Sequence, residues 1–305
     1  HMTVPDVRVP SRTEWKPRPE ENMYQSYTTD EDKERTNVHY EQPARFFQAF
    51  TGGEWNAYSC NLWDTATNDT ESQEAKLDLM AQYMNLKPGY RILDVGCGWA
   101  GPLTYLCQKY DVRGVGLTLS SQQKRFADER IARLGVDTQV IECHWREFQD
   151  AEGFDAIYTD EVIVHFHNLD EFFAKCHALL KPHGRMVNKE LHFTHPSHAR
   201  LTRATALISE IYGYTGNYRT LAEELTLVNQ AGFETHLVHH IPRRHYRKTI
   251  KRWQSNMHEH HDELIALVGA DYYTRFRKYL KVAGHLVGSD AATVDIVVAQ
   301  KVHTG

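Results

Sequence analysis

The chain has 305 residues, 41% hydrophobic and 25% charged, the balance of a globular chain long enough to bury a sizeable core as one large domain or one domain with an insertion. Its formal net charge of -5 argues against a nucleic-acid partner, which normally requires a basic chain, and no apolar run approaches the ~20 residues that span a membrane. Five cysteines without a Cys-x-x-Cys pair suit a reducing cytoplasm, and the 19 histidines lack the spacing with acidic or cysteine partners that would hold a metal.

Residues 1–36 carry Pro5, Pro10, Pro17 and Pro19 among many charges and read as a flexible arm with no visible signal peptide. Residues 37–89 read as N-terminal helices. Ala75, Leu77, Leu79, Met80, Tyr83, Met84 and Leu86 keep helical spacing over 70–86, and Pro88 with Gly89 is the expected stop. From residue 90 strands and helices alternate. Strands are expected at Arg91–Val95, Val112–Leu119, Thr138–Cys143, Phe154–Thr159 and Gly184–Leu191. Helices fall at Pro102–Tyr110, Ser121–Leu134 and Leu169–Leu180, the second capped by Ser120 or Ser121. Residues 192–225 break this rhythm as a helical insertion, with Tyr212, Tyr214 and Tyr218 close together. A strand at Phe233–His240, charged and aromatic helices over 247–283 and a last strand at Ala292–Lys301 complete the chain. The fold class implied is α/β: a seven-stranded, mostly parallel, Rossmann-like sheet with helices on both faces, spanning 90–303, and a helical cap from 192–225 and 247–283. Ligands of such sheets sit at the carboxyl ends of the strands, so the loops after Val95, Leu117, Cys143 and Thr159 are expected to converge.

The first of these loops, Gly96-Cys97-Gly98-Trp99-Ala100-Gly101, fits the Gly-x-Gly-x-x-Gly pattern of dinucleotide sites. Two details point instead to S-adenosylmethionine. Asp94, two residues before the first glycine, suits a cofactor with cationic ammonium and sulfonium groups. The second strand ends in Thr118-Leu119-Ser120 with no acid for a nicotinamide ribose. Gly96 and Gly98 let the backbone approach the ligand. Thr118, Leu119 and Gln123 can serve the ribose, His144 and Trp145 follow the third strand where Trp145 can stack on adenine, and Thr159 ends the fourth strand at the same rim.

Taken together, these stretches resemble the cyclopropane-fatty-acid and mycolic-acid synthase group of methyltransferases, over about residues 37–303. The resemblance rests on Val38-His39-Tyr40, Tyr58-Ser59-Cys60, Ile92–Gly101, Gly116–Gln123, Leu180–Gly184, His245–Thr249 with Trp253, and Phe276–Leu280. It implies a class I methyltransferase fold, with Tyr58 and Ser59 closing over the cofactor. It also implies that cyclopropanating members hold a bicarbonate base with a Glu-His-Phe stretch after the fourth strand. Here that stretch is Val164-His165-Phe166, a further bicarbonate-contacting His corresponds to Lys189, and only Tyr246 of these side chains is retained. An acid stands three residues earlier: Tyr158–His165, with Glu161, is similar to the Tyr-x-x-Glu-x-x-x-His pattern of sterol methyltransferases and to the Glu stretch of geranyl diphosphate C-methyltransferases.

The candidate catalytic residues are therefore Glu161, His165, Tyr246 and Tyr58. Methylation of an electron-rich carbon leaves a cation, which a carboxylate can face and deprotonate and tyrosine rings can stabilise. His165 is a second base or an orienting partner of Glu161. The expected activity is C-methylation of a small apolar acceptor, an isoprenoid alkene or an arene such as indole. N-methylation of an amine, lipid acyl-chain methylation and a non-enzymatic cofactor-binding module are the alternatives. The expected partner is a small molecule, and the composition is compatible with a homo-oligomer. The basic run Arg243–Lys248 reads either as a solvated face or as a diphosphate contact.

Overall fold

The computed structural model describes residues 28–40, 42–196, 198, 211 and 219–302. Helix α1, Thr29–Tyr40, begins inside the stretch expected to be a flexible arm. The reason is local: Asp30, Glu31 and Asp32 occupy its first turn, where acids complement the helix dipole. Thr28 and Glu31 also form a reciprocal cap, with Glu31 accepting from the Thr28 N–H and Thr28 Oγ1 accepting from the Glu31 N–H. Helix α2, Ala44–Thr51, buries Phe46, Phe47 and Phe50. Helix α3, Asp69–Met84, is capped by the Asn68 side chain and stopped by left-handed Asn85, three residues before the proline and glycine expected to end it.

Strand β1 (Arg91–Val95), helix α4 (Gly101–Tyr110), β2 (Arg113–Thr118), α5 (Ser121–Leu134), β3 (Thr138–Glu142), β4 (Phe154–Asp160), α6 (Leu169–Leu179) and β5 (Leu180–Phe193) follow the expected alternation. Ser120 is the N-cap of α5, accepting from the Gln123 N–H. Strand β5 runs to Phe193, so the first two residues of the expected helical insertion are strand. Most of the insertion, including Tyr212, Tyr214 and Tyr218, lies outside the described residues. The chain continues with α7 (Leu221–Gln230), β6 (Phe233–Ile241), α8 (Arg243–Glu259), α9 (His261–Val268), α10 (Ala270–Gly288) and β7 (Ala292–Lys301). Among the described residues, no helix is long and apolar enough to cross a membrane.

The seven strands form one sheet in the order β3-β2-β1-β4-β5-β7-β6. The first five are parallel to their neighbours, and β7 runs antiparallel to both β5 and β6. Strand order reverses between β1 and β4, which places the ligand crevice at their carboxyl ends. Alternation divides the core: Ile92 joins one apolar layer with Leu77, Met80 and Leu106, while Leu93 joins the other with Phe172, Phe173 and Leu227.

A third apolar cluster roofs the crevice. Helices α2, α8 and α10 bring Phe46, Phe50, Trp253 and Phe276 together with Trp99 of the cofactor loop. The Phe276 ring centroid lies 5.0 Å from those of both Phe46 and Phe50, and its side chain is fully buried. Phe276→Ala should cost about 3–5 kcal/mol of stability, read as a lower denaturant midpoint at unchanged slope.

Candidate active site

The loop after β1 is shaped by contacts on both sides. Gly96 (φ 83°) and Gly98 (φ 54°) hold left-handed backbone. The N–H groups of Gly96 and Cys97 both donate to Leu117 O, pinning the loop to β2. A Cβ on Gly96 would lie 2.6 Å from Val162, whereas one on Gly98 would meet nothing within 4 Å. Gly98 therefore presents bare backbone to open space. Asp94 lies beside it and accepts from the Tyr158 hydroxyl at 2.6 Å. Burial raises its carboxyl to about 7, the Tyr158 bond opposes the rise, and Asp160 adds to it. Among the described residues no cation pairs with this buried carboxylate. An exposed backbone cradle beside an uncompensated acid fits a ligand bearing both a carboxylate and an ammonium group.

One cleft of about 1310 Å³, open mouth included, gathers Tyr58, Ser59, Asp94, Gly96, Gly98, Thr118, Leu119, Gln123, His144, Trp145, Glu161 and His165. Several polar groups there are already committed. The Thr118 hydroxyl donates to the Gln123 carbonyl oxygen at 2.6 Å. His144 Nδ1 accepts from the Arg146 N–H, so Nε2 carries the proton and donates to Asp32 of α1 at 2.9 Å. His144 thus holds the N-terminal helix over the cleft, and its ring nitrogens are not open to a cofactor. Trp145 packs between His144 and Phe166, and its indole N–H has no partner among the described residues.

Thr159 corrects the sequence reading. It does not line the cleft; it is fully buried and donates to Asn188 Oδ1 at 2.9 Å. Asn188 is its register partner on β5. Side chains alternate along a strand, so Tyr158 and Asp160 reach the crevice and Thr159 points away.

Where β4 ends, four charged side chains meet. Asp160 is bonded by Lys76 Nζ at 2.8 Å, Lys189 Nζ at 2.9 Å and the Ser59 hydroxyl at 2.7 Å. Burial opposes its ionisation, but the two lysines outweigh it and hold the carboxyl well below its usual range. Glu161 sits next to it in left-handed backbone, φ 56°, with its N–H donating to Lys189 O at 2.7 Å. One Glu161 carboxylate oxygen accepts from the Cys60 N–H at 2.8 Å and Lys189 Nζ at 2.5 Å; the other accepts from the Tyr246 hydroxyl at 2.6 Å. Burial and the Glu161 charge push the Tyr246 hydroxyl far above its ordinary pKa, so it stays a donor. Tyr246 lies behind Glu161 and does not border the cleft, its hydroxyl spent on the Glu161 carboxylate. Tyr58 borders the cleft, its hydroxyl 3.2 Å from that of Tyr279.

His165 also borders the cleft, but it is not among the partners of Glu161, which Lys189 and Tyr246 orient instead. Burial and neighbouring His167 lower its pKa to about 4, leaving it neutral at pH 7. The turn that carries it is gripped from below. Val164 N–H donates to Glu190 at 3.0 Å, and Arg219 donates to Ile163 O at 3.0 Å and Phe166 O at 2.5 Å. Sequence reading missed Lys76, Asp160, Glu190 and Arg219; only the adjacency of Asp160 to Glu161 hinted at a charged centre.

Burial raises the Glu190 carboxyl to about 8; the Leu191 N–H opposes this and Glu161 adds to it. Its folded pKa exceeds the unfolded value of about 4.3. Its stabilisation is therefore complete below that value and lost as pH rises through about 8. Relative to Glu190→Gln, the wild type should lose up to about 1.4 kcal/mol of stability per pH unit across that window, measurable by denaturation at several pH values.

The basic run is largely spent within the fold. Arg244 pairs with Asp64 at 2.8 Å, His245 Nδ1 accepts from the Trp63 N–H at 2.9 Å, and the Lys248 ammonium lies 4.5 Å from the centre of the Trp63 ring.

The model of one family, mycolic acid cyclopropane synthetase, matches residues 27–295. The chain is 30% identical over 278 residues to methoxy mycolic acid synthase MmaA3 of Mycobacterium tuberculosis, covering 83% of this chain and 92% of that protein. It is 39% identical over 129 residues to cyclopropane-fatty-acyl-phospholipid synthase of Escherichia coli K12, covering 42% of this chain and 33% of that one. Its fold matches the crystal structure of mycolic acid cyclopropane synthase CmaA1 complexed with SAH and CTAB, with a TM-score of 0.82, 28% identity and coverage of 88% and 98% of the two chains.

Proposed function

The chain belongs to the mycolic acid cyclopropane synthetase family and is an S-adenosylmethionine-dependent methyltransferase, and from that premise we propose that it methylates an alkene carbon of an apolar acceptor with Glu161 as its own built-in base. The observation that carries this reading is the convergence of Cys60 N–H, Lys189 and Tyr246 on the Glu161 carboxylate at the cleft wall. The family resemblance implies a separate bicarbonate in cyclopropanating members. Here the retained Tyr246 and the residue in the histidine position, Lys189, both spend their donors on a carboxylate that belongs to the chain.

Asp94 and the Gly96–Gly98 backbone would hold the cofactor's amino-acid end, and Leu119, Gln123 and the Trp145 ring its adenosine. Bound there, S-adenosylmethionine supplies an electrophilic methyl group. Tyr58 and Ser59 would close that end from water, and the cleft wall would hold the alkene aligned, a contribution worth roughly 7–11 kcal/mol in well-oriented systems. The alkene π pair would form the new carbon–carbon bond as the methyl–sulfur bond breaks, its electron pair departing with the thioether, and a cation would remain on the neighbouring carbon. Glu161 faces that cation and takes a proton from an adjacent carbon, whose C–H pair becomes the new double bond.

Relatives named for fatty acyl phospholipid and mycolic acid favour an unsaturated acyl chain as acceptor. The Glu161 pattern, shared in form with isoprenoid and sterol C-methyltransferases, supports an isoprenoid alkene or an indole as the second reading. Incubation with trideuteromethyl donor and a panel of unsaturated acyl chains, isoprenoids, indoles and amines tests both. The expected product carries an intact trideuteromethyl group on carbon and as many double bonds as the acceptor had. Label on nitrogen, or a dideuterated cyclopropane, would overturn the proposal.

A further inference from the structure

The third glycine of the cofactor loop answers to something other than the cofactor. A Cβ on Gly101 would stand 1.8 Å from the Trp55 carbonyl oxygen and 2.7 Å from an Arg130 guanidinium nitrogen. No side chain fits there because the segment Glu54–Ser59 lies with its backbone directly on the start of α4. This segment supplies Trp55, Asn56, Ala57, Tyr58 and Ser59 to the cleft wall. The next residue, Cys60, donates its N–H to Glu161.

Arg130 holds the segment from behind. It projects from α5, is 4% exposed and does not border the cleft. Nη1 donates to Glu54 O at 3.2 Å and Nη2 to Asn56 Oδ1 at 2.8 Å. Asn56 holds left-handed backbone at φ 49°, and its amide nitrogen donates to the Gly52 and Gly53 carbonyl oxygens at 3.3 and 3.1 Å. Among the described residues Arg130 forms no ion pair. Burial strips this guanidinium of water, a cost that the Glu54 charge offsets only in part, and what Arg130 secures here is the placement of one strap across the cofactor loop.

We propose that Gly101 and Arg130 form a seat for the strap Glu54–Ser59, and that Arg130 is a positioning residue that controls retention of the cofactor without touching it. The proposal rests on reading the cleft as the cofactor site. That reading has its own test in Asp94→Asn, whose binding loss does not depend on Arg130. The probe is S-adenosylhomocysteine, its affinity measured by calorimetry and its release by stopped flow.

Arg130→Met should weaken binding tenfold or more, chiefly through faster release, a loss larger than any fall in kcat at saturating cofactor. Arg130→Lys, able to serve one acceptor at a time, should fall between. Gly101→Ala should reproduce the effect by lifting the strap, and the double variant should be no weaker than the worse single one, because both act on one element. Hydrogen exchange of amides 54–60 should quicken in each variant. Unchanged affinity and release in Arg130→Met, or additive losses in the double variant, would overturn the proposal. If the methionine variant does not fold, the lysine variant decides by the same readouts: intermediate affinity and faster release support the seat, and wild-type values refute it.

Discussion

Replacing Glu161 by Gln should lower turnover by roughly 10²–10⁴-fold, the span over which a positioned base contributes, while cofactor affinity stays within a few-fold of wild type. Gln keeps the length of the side chain and can still accept from the Cys60 N–H and Lys189 through its one carbonyl oxygen, its amide nitrogen donating to the Tyr246 hydroxyl oxygen, but it cannot take a proton. The sharper experiment is Glu161→Gly. Glycine suits the left-handed backbone at φ 56°, and the variant leaves a hole lined by the Cys60 N–H, Lys189 and Tyr246, all donors. Formate or bicarbonate added to that variant should restore part of the lost rate in a saturable manner, and should not accelerate the wild type. Rates in Glu161→Gln equal to wild type, or a wild type that itself requires added bicarbonate, would remove Glu161 from the chemistry.

Asp94→Asn should weaken cofactor binding by about 2–5 kcal/mol, the loss expected when one member of a buried charged contact is removed. The pH dependence is the more discriminating measurement. In the free protein burial places the Asp94 carboxyl near 7. Below that pH it is increasingly protonated, and a cationic ligand must displace the proton in order to bind. The dissociation constant of the wild type should therefore rise roughly tenfold per pH unit as pH falls below 7 and be flat above it. Asp94→Asn should show no such slope. A wild-type profile that is level between pH 5 and 8 would contradict the placement of the cofactor's ammonium group at Asp94.

The sheet is legible in the sequence because parallel strands covered on both faces read as short apolar runs bounded by glycines. Ile92–Val95 and Phe154–Tyr158 are such runs, each holding one aspartate and marked by a glycine at one end, and their register carries the ligand crevice with it. The cofactor loop is legible for a chemical reason: an acid two residues before a glycine cradle is what a cationic ligand needs. Elsewhere the determining contacts are distant in sequence. Lys76 stands among polar residues on α3 and looks like a solvated position, yet it is fully buried because Asp160, far along the chain, meets it. Lys189 reads as a lost histidine until its two carboxylate partners are seen. Thr159 misleads because one position along a strand reverses the direction of the side chain. Residues 29–36 read as arm because their charges mask a capped helix whose partners, His144, Glu142 and Glu147, lie in and after β3.

The charge grouping at the end of β4 has a consequence for the catalytic cycle as a whole. Lys76, Lys189, Asp160 and Glu161 sum to zero before reaction. Once Glu161 has taken a proton the group carries one net positive charge, and a second carbocation would have to form next to it. The enzyme must therefore discharge that proton to solvent between turnovers, which makes resetting the centre a step distinct from methyl transfer. A single turnover should be indifferent to buffer concentration, while steady-state turnover should rise with it until proton export is no longer limiting.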